Sequence, residues 1–170
     1  MESIGAVLAV GAGLALLVAF LAWAAWGDVR RYIIPNRISL LILAAYLPFV
    51  TGAALLPGLY PSVNWFSGLM VGGAVLVVGF ALFAAGVMGG GDVKLLASTA
   101  VWAGPALVFH LLMATALAGG LVALGVLMVK ALRAPASSEG PLPLPYGVAI
   151  AMGGLVVAGQ LAMAVWSAAV

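Results

Sequence analysis

The sequence predicts an all-α membrane protein: a polytopic bundle of about six transmembrane helices with the N-terminus outside. Three observations carry that expectation. Of the 170 residues, 66% are hydrophobic and only 6% charged, whereas a soluble domain carries about 25% charged residues. Apolar runs of the length that crosses a bilayer, about 20 residues, recur between short breaks. The basic residues Arg30, Arg31, Arg37, Lys94, Lys130 and Arg133 each follow or interrupt such a run. Six crossings place all of them on the cytoplasmic side, in keeping with the positive-inside rule. The whole chain, residues 1–170, is read as one integral-membrane domain.

The first helix is expected over residues 4–26. The residues before it carry no positive charge, and no small-residue cleavage site precedes Asp28, so the run reads as a retained helix and not as a signal peptide. Residues 29–34 read as a short turn at the membrane surface, because Pro35 pushes Ile34 towards an extended shape. Proline suits a first helical turn, so the second helix is expected from Pro35 to about Leu56, with a kink at Pro48. Residues 57–61 read as a loop, with Tyr60 and Trp65 suited to the membrane interface. The third helix is expected over 65–87, broken by Gly89, Gly90 and Gly91. The run 93–129 is too long for one comfortable crossing, and Gly104-Pro105 is its best break. That gives a fourth helix over 92–103, only about 18 Å long, and a fifth over 105–130. One crossing there would split the basic residues between the two faces. Residues 134–144 form the loop richest in Pro, Ser and charge, and the sixth helix follows over 146–166.

The same composition excludes several functions. The net charge of +2 reflects topology; no basic stripe covers phosphates, so no nucleic-acid partner is expected. The chain has no cysteine, which excludes disulfides, cysteine-bound zinc and thiol catalysis. No metal and no cofactor are expected.

The residues that invite chemistry are Asp28 and Asp92, the only aspartates in the chain. An ionisable group near hydrocarbon marks a functional site with a partner to be named, and each aspartate has the other as its obvious partner. The six-helix parsing brings both to the cytoplasmic face. Two carboxyl groups sharing a site do not easily both ionise, the asymmetry an aspartic protease uses. The plain alternative is a pair of ordinary loop residues, with Asp92 a helix cap. Among the other candidates, Glu2 lies at the outer terminus and Glu139 in the polar loop. His110 lies mid-run and reads as a hydrogen-bonded packing residue. Arg30 and Lys94 lie two positions from an aspartate and are assigned supporting roles, with topology as their simpler role. Gly89, Gly90 and Gly91 are either a simple loop or a place where a peptide backbone approaches Asp92 unobstructed. Gly68 and Gly72 read as helix-packing positions. Tyr146 opens the last helix from the cytoplasmic side, either as an ordinary start or beside the aspartates.

With these residues in view, the chain resembles the type IV prepilin peptidases. The family's Asp-x-Arg followed by Ile-Pro-Asn matches Asp28, Arg30, Ile34, Pro35 and Asn36. Its Gly-x-Gly-Asp-x-Lys-Leu matches Gly89, Gly91, Asp92, Lys94 and Leu95. Its late Pro-Tyr-Gly-x-Ala-Ile matches Pro145, Tyr146, Gly147, Ala149 and Ile150. The resemblance implies an intramembrane aspartic endopeptidase of the bacterial or archaeal cytoplasmic membrane. Asp28 and Asp92 would be its catalytic pair, supported by Pro35, Asn36 and Tyr146. Its implied partner is a pilin or pseudopilin precursor, whose basic leader it removes. The large bifunctional members carry a cysteine-bearing insert and also methylate the new N-terminus. This chain lacks the cysteines and resembles the small peptidase-only members, including those serving tight-adherence pili. Presenilin-like proteases share Gly-x-Gly-Asp but are longer and have Tyr before their other aspartate, where this chain has Gly27. The rival readings are a small transporter or ion channel using the paired aspartates, and a catalytically silent assembly subunit.

Overall fold

Five long helices account for nearly all of the computed structural model, which describes residues 2–56, 65–132 and 144–169. They are α1 (Glu2–Arg31), α2 (Asn36–Ala54), α3 (Trp65–Ala84), α4 (Gly90–Leu132) and α5 (Tyr146–Ala169). Each is long and apolar enough to cross a membrane. The expected loop at 57–61 with Tyr60, and the polar stretch with Arg133 and Glu139, lie outside the described residues.

The fourth and fifth expected helices are the two arms of α4, which breaks at Gly104 (φ 54°, ψ −169°) before Pro105. A positive φ costs glycine little, and the proline that follows suits the first turn of a new helix. The arms run in opposite directions along α5. In the first arm, Thr99 lies at Gly154 and Ala103 lines a cavity with Gln160 and Leu161. In the second, Leu111 lies at Gly153 and Gly119 at Ala149. The chain therefore reverses at Gly104 and makes six passes with five helices.

Two boundaries differ from expectation. Helix α1 continues past Trp26 to Arg31, so Asp28 belongs to its last turn and not to a following loop. Arg30 and Arg31 lie in that turn, where cations complement the helix C-terminus. Tyr32 ends the helix at φ 52°, and its N–H donates to the Asp28 carbonyl at 2.8 Å. Only residues 32–35 separate α1 from α2, with Pro35 as the N-cap (φ −64°, ψ 139°) and not the first helical residue. Helix α3 ends at Ala84, before the glycine triplet. Gly86 (φ 73°) is the stop: its N–H donates to Phe83 O and that of Val87 to Leu82 O, both at 2.9 Å. This is the paired closure in which a left-handed residue satisfies the last carbonyls. Gly90 and Gly91 then lie inside α4, so the triplet starts a helix where it was expected to break one.

The first arm of α4 is the centre of the bundle, with Val93, Leu95 and residues 97–103 all buried. Helix α3 reaches it through Gly68, Gly72 and Gly79, which face Val101, Ala97 and Val93, so the glycines spaced by four serve close packing. Helix α2 meets the same arm through an aromatic cluster. The Trp102 ring lies 5.3 Å from Tyr46 and 5.0 Å from Phe49, and its Nε1–H donates to Ile42 O at 3.0 Å. Helix α2 runs through Pro48 without ending there.

The close approach of α3 to α4 makes a specific demand. A Cβ on Gly68 would lie 2.5 Å from the Val101 carbonyl oxygen, whereas one on Gly73, on the open side of α3, meets nothing within 4 Å. Gly68→Ala is expected to lower stability by about 1–3 kcal/mol through overpacking. Gly73→Ala is expected to be neutral or to stabilise by up to about 1 kcal/mol through helix propensity. Thermal unfolding of the two variants in detergent checks the contrast; equal midpoints would contradict the packing described.

Candidate active site

The site begins with a problem of burial. Asp28, in the last turn of α1, is only 5% exposed. A carboxylate removed from water needs hydrogen-bond donors, and α5 supplies them. The first turn of any helix leaves backbone N–H groups without internal partners. Here the Gly147 N–H donates to Asp28 Oδ2 at 2.7 Å, and the Val148 N–H also donates to the carboxyl group. The fit depends on residue 147 having no side chain: a Cβ there would lie 2.9 Å from Asp28 Oδ2 and 2.9 Å from Ile34 Cδ1.

Asp92 occupies the first turn of α4 and is half-buried. Its carboxyl group folds back on the residue before the helix. A Cβ on Gly89 would meet Asp92 Oδ2 at 2.7 Å, and the Gly89 amide donates to it. An acidic residue at the third helical position reaching back to the preceding N–H is half of a capping box. Asp92 lies close enough to Asp28 for the two charges to interact. One face of the bundle thus carries two carboxyl groups, one on the α1 end and one on the α4 start, each oriented by backbone amides.

The turn between α1 and α2 lies beside both. Ile34 is buried. It touches the α5 start at Gly147, and its Cβ comes within 3.2 Å of the Cβ position of Gly91. Pro35 fixes the extended backbone just after it. Asn36, the first residue of α2, accepts a hydrogen bond from Lys94 Nζ at 2.9 Å, joining α2 to α4 two residues beyond Asp92. Arg30 lies over the Trp26 ring, 4.1 Å from its centroid, and Arg37 over Trp23 at 5.2 Å. Tyr146 is exposed, with its ring 3.7 Å from the Cβ position of Gly119. Gly90 lies under Phe83, 3.3 Å away at its Cβ position, while Gly89 is exposed. His110 is distant in sequence from this end and exposed on the second arm of α4, its ring against Phe109, so it is not a buried packing residue. Among the described residues no three or more His, Cys, Asp or Glu side chains gather as a metal site would.

Two contributors were visible in the sequence only as letters of a motif. Gly147 supplies the amide that holds Asp28, and Ile34 fills the space between the two aspartate-bearing helix ends. The signal for Gly147 was a glycine in the first turn of an apolar helix, where side-chain bulk is excluded and backbone N–H groups are free. Chemically, paired carboxyl groups at one helix-bundle end can share a proton, one accepting from water while the other donates to a polarised carbonyl.

The model of the type IV leader peptidase family matches residues 15–124, a span that includes both aspartates. No curated protein and no solved structure matches the chain significantly.

The Asp28–Gly147 contact is directly testable. Gly147→Ala must displace either the carboxyl group or the α5 start, and misplacement of a reacting group by about 1 Å can cost about 10²-fold in rate. A loss of that order in a peptidase assay, with helix content by circular dichroism unchanged, is the expected result. Parent-like turnover would show that the contact does not position Asp28.

Proposed function

We propose that this chain, which belongs to the type IV leader peptidase family, is an intramembrane aspartic endopeptidase. Its substrates are pilin-like precursors, from which it removes the basic leader at the cytoplasmic face of a bacterial or archaeal membrane. The observation that carries the reading is the convergence of Asp28 and Asp92, from helices far apart in sequence, within reach of each other's charge.

In this mechanism one aspartate is ionised and takes a proton from water, while the other is protonated and hydrogen-bonds the scissile carbonyl. Water oxygen attacks the carbonyl carbon, and the second carboxyl's proton passes to the developing oxyanion. The diol collapses as the carboxyl that took the water proton gives it to the leaving amide nitrogen and the C–N bond breaks; a diol hydroxyl passes its proton to the other carboxylate as the carbonyl re-forms, so the pair again holds one proton. The two groups titrate as one unit, so neither is assigned as the base. Gly89 leaves space for a peptide backbone beside Asp92. The leader stays in the cytoplasm and the apolar segment that follows it remains in the membrane. Arg30, Arg37 and Lys94 lie against the neutral partners Trp26, Trp23 and Asn36, which leaves the acidic pair for the basic leader.

Leader removal from a pilin-like precursor by purified protein tests the proposal. Asp28→Asn and Asp92→Asn keep the side-chain shape but cannot cycle a proton. Each is expected to lose about 10²–10⁴-fold in rate, and the double variant little more, because residues acting as one unit are strongly non-additive. Lys94→Ala removes one hydrogen bond to Asn36 and is expected to cost about tenfold. Near-normal turnover in either well-folded aspartate variant would exclude the dyad, and ion flux through liposomes would then test the channel alternative.

A further inference from the structure

Helices α2 and α3 both pack on the first arm of α4, yet they make almost no contact with each other. They approach at the outer end, where the Tyr46 hydroxyl lies 2.9 Å from the Cβ position of Gly68. Towards the cytoplasm they part and leave a cavity of about 470 Å³ with walls from α2, α3 and α4. Its walls are apolar apart from Ser39 and Ser98, and Lys94 and Asn36 close its cytoplasmic end with their hydrogen bond. Leu43 and Leu76 at its rim are exposed on the bundle surface, so the cavity opens sideways into the surrounding lipid. Ser39 Oγ, in the α2 wall, is buried without a hydrogen-bond partner. A Cβ at Gly73, in the α3 wall, meets nothing within 4 Å; the space beside it is unfilled by the protein.

We infer that this groove receives one face of the apolar helix of the precursor. The inference rests on the peptidase reading above. The groove is continuous with the candidate dyad: Lys94 is two residues beyond Asp92 on the same helix, and Asn36 two beyond Ile34. A chain whose apolar segment lies in the groove passes the Lys94–Asn36 pair and reaches the carboxyl groups without crossing another helix. The volume lies within the range of about 300–1,000 Å³ typical of ligand sites. It accommodates a row of side chains from one helix face and not a whole helix, so the rest of the substrate helix faces lipid. The small residues Gly73 and Ala97 let those side chains approach the α3 and α4 backbones, as small residues do wherever membrane helices pack closely.

Two measurements test this together. Gly73→Leu projects a side chain into the groove without clashing with the fold. Gly120→Leu places the same side chain on the second arm of α4, outside the groove, where a Cβ also meets nothing within 4 Å, and serves as control. For a precursor with its apolar helix intact, Gly73→Leu is expected to raise KM about tenfold or more with kcat little changed, the pattern of lost ground-state binding; Gly120→Leu should leave both unchanged. Because the chain has no cysteine, Leu43→Cys in an Asp28→Asn background can be cross-linked to a precursor with one cysteine in its apolar segment. A cross-link at Leu43→Cys and a KM effect confined to Gly73→Leu establish the groove. Absence of the cross-link overturns the inference whatever happens to KM and leaves the groove to lipid, as does an unchanged KM. Cross-linking by a protein whose parent cleaves no precursor would sink the peptidase reading while the docking groove stands.

Discussion

The constraint on which the rest of the structure depends is the burial of Asp28 at the end of α1. The C-terminal turn of a helix carries the negative end of its dipole, so a carboxyl group there gains nothing from its own helix and loses water. The compensation comes from the opposite pole of another helix, the amides at the start of α5, through the 2.7 Å bond from Gly147. That requirement ties the last helix to the first. Helix α5 must start beside the end of α1, and the packing of α1 against both α2 and α5 follows. The contact also fixes residue identity: glycine at 147 is the residue that lets the amide and the carboxyl group meet without a Cβ between them.

The break at Gly104 sets the length of the arm that carries the other aspartate. The first arm of α4, residues 90–103, rises roughly 21 Å, and the second, residues 105–132, roughly 42 Å. A bilayer's hydrocarbon core is about 30 Å thick. The first arm is thus shorter than a hydrocarbon core and the second longer, and Asp92 lies on the shorter of the two. The short arm is also the most buried segment in the bundle. Helices α2, α3 and α5 all lean on it, so the element that carries Asp92 is held from several sides. Precision at a carboxyl pair needs a rigid support, and the arm between Gly91 and Gly104 provides it.

Much of this was legible in the sequence. The number of passes followed from apolar runs and from the placement of the basic residues, and the Gly104-Pro105 break was correctly placed because glycine and proline act there through local backbone geometry. The candidate pair stood out because Asp28 and Asp92 are the only aspartates in the chain and each lies beside an apolar run. Helix ends were less legible. The third helix was expected to run to residue 87 and break at the glycine triplet, yet Gly86 closes α3; Gly90 and Gly91 continue as helix because α4 is buried against its neighbours. The first helix was expected to end at Trp26, yet it persists through Gly27 and Asp28, both poor helix formers, because α5, more than a hundred residues away in sequence, caps the Asp28 carboxyl group. Propensity carries no information about a donor that arrives through tertiary structure. The groove between α2 and α3 was illegible for the same reason, since it exists only through the way both helices lean on α4.

The supporting cations follow a related logic. A carboxyl pair that must keep one proton is poorly served by a cation bonded directly to it, because a nearby positive charge favours the ionised form. Spacing alone puts Arg30 and Lys94 two residues from an aspartate, on a path to such a pairing. In the folded chain Lys94 donates to Asn36 and Arg30 stacks on Trp26. The groups that orient the two aspartates are backbone amides of Gly147, Val148 and Gly89. Amides fix an oxygen's position without contributing a full charge, so neither carboxyl group is oriented by a cation bonded to it. The Asn36–Lys94 bond also joins α2 to α4 at the point where the groove meets the carboxyl pair. One neutral side chain thereby holds a cation off the two carboxyl groups and closes the groove at the end nearest them.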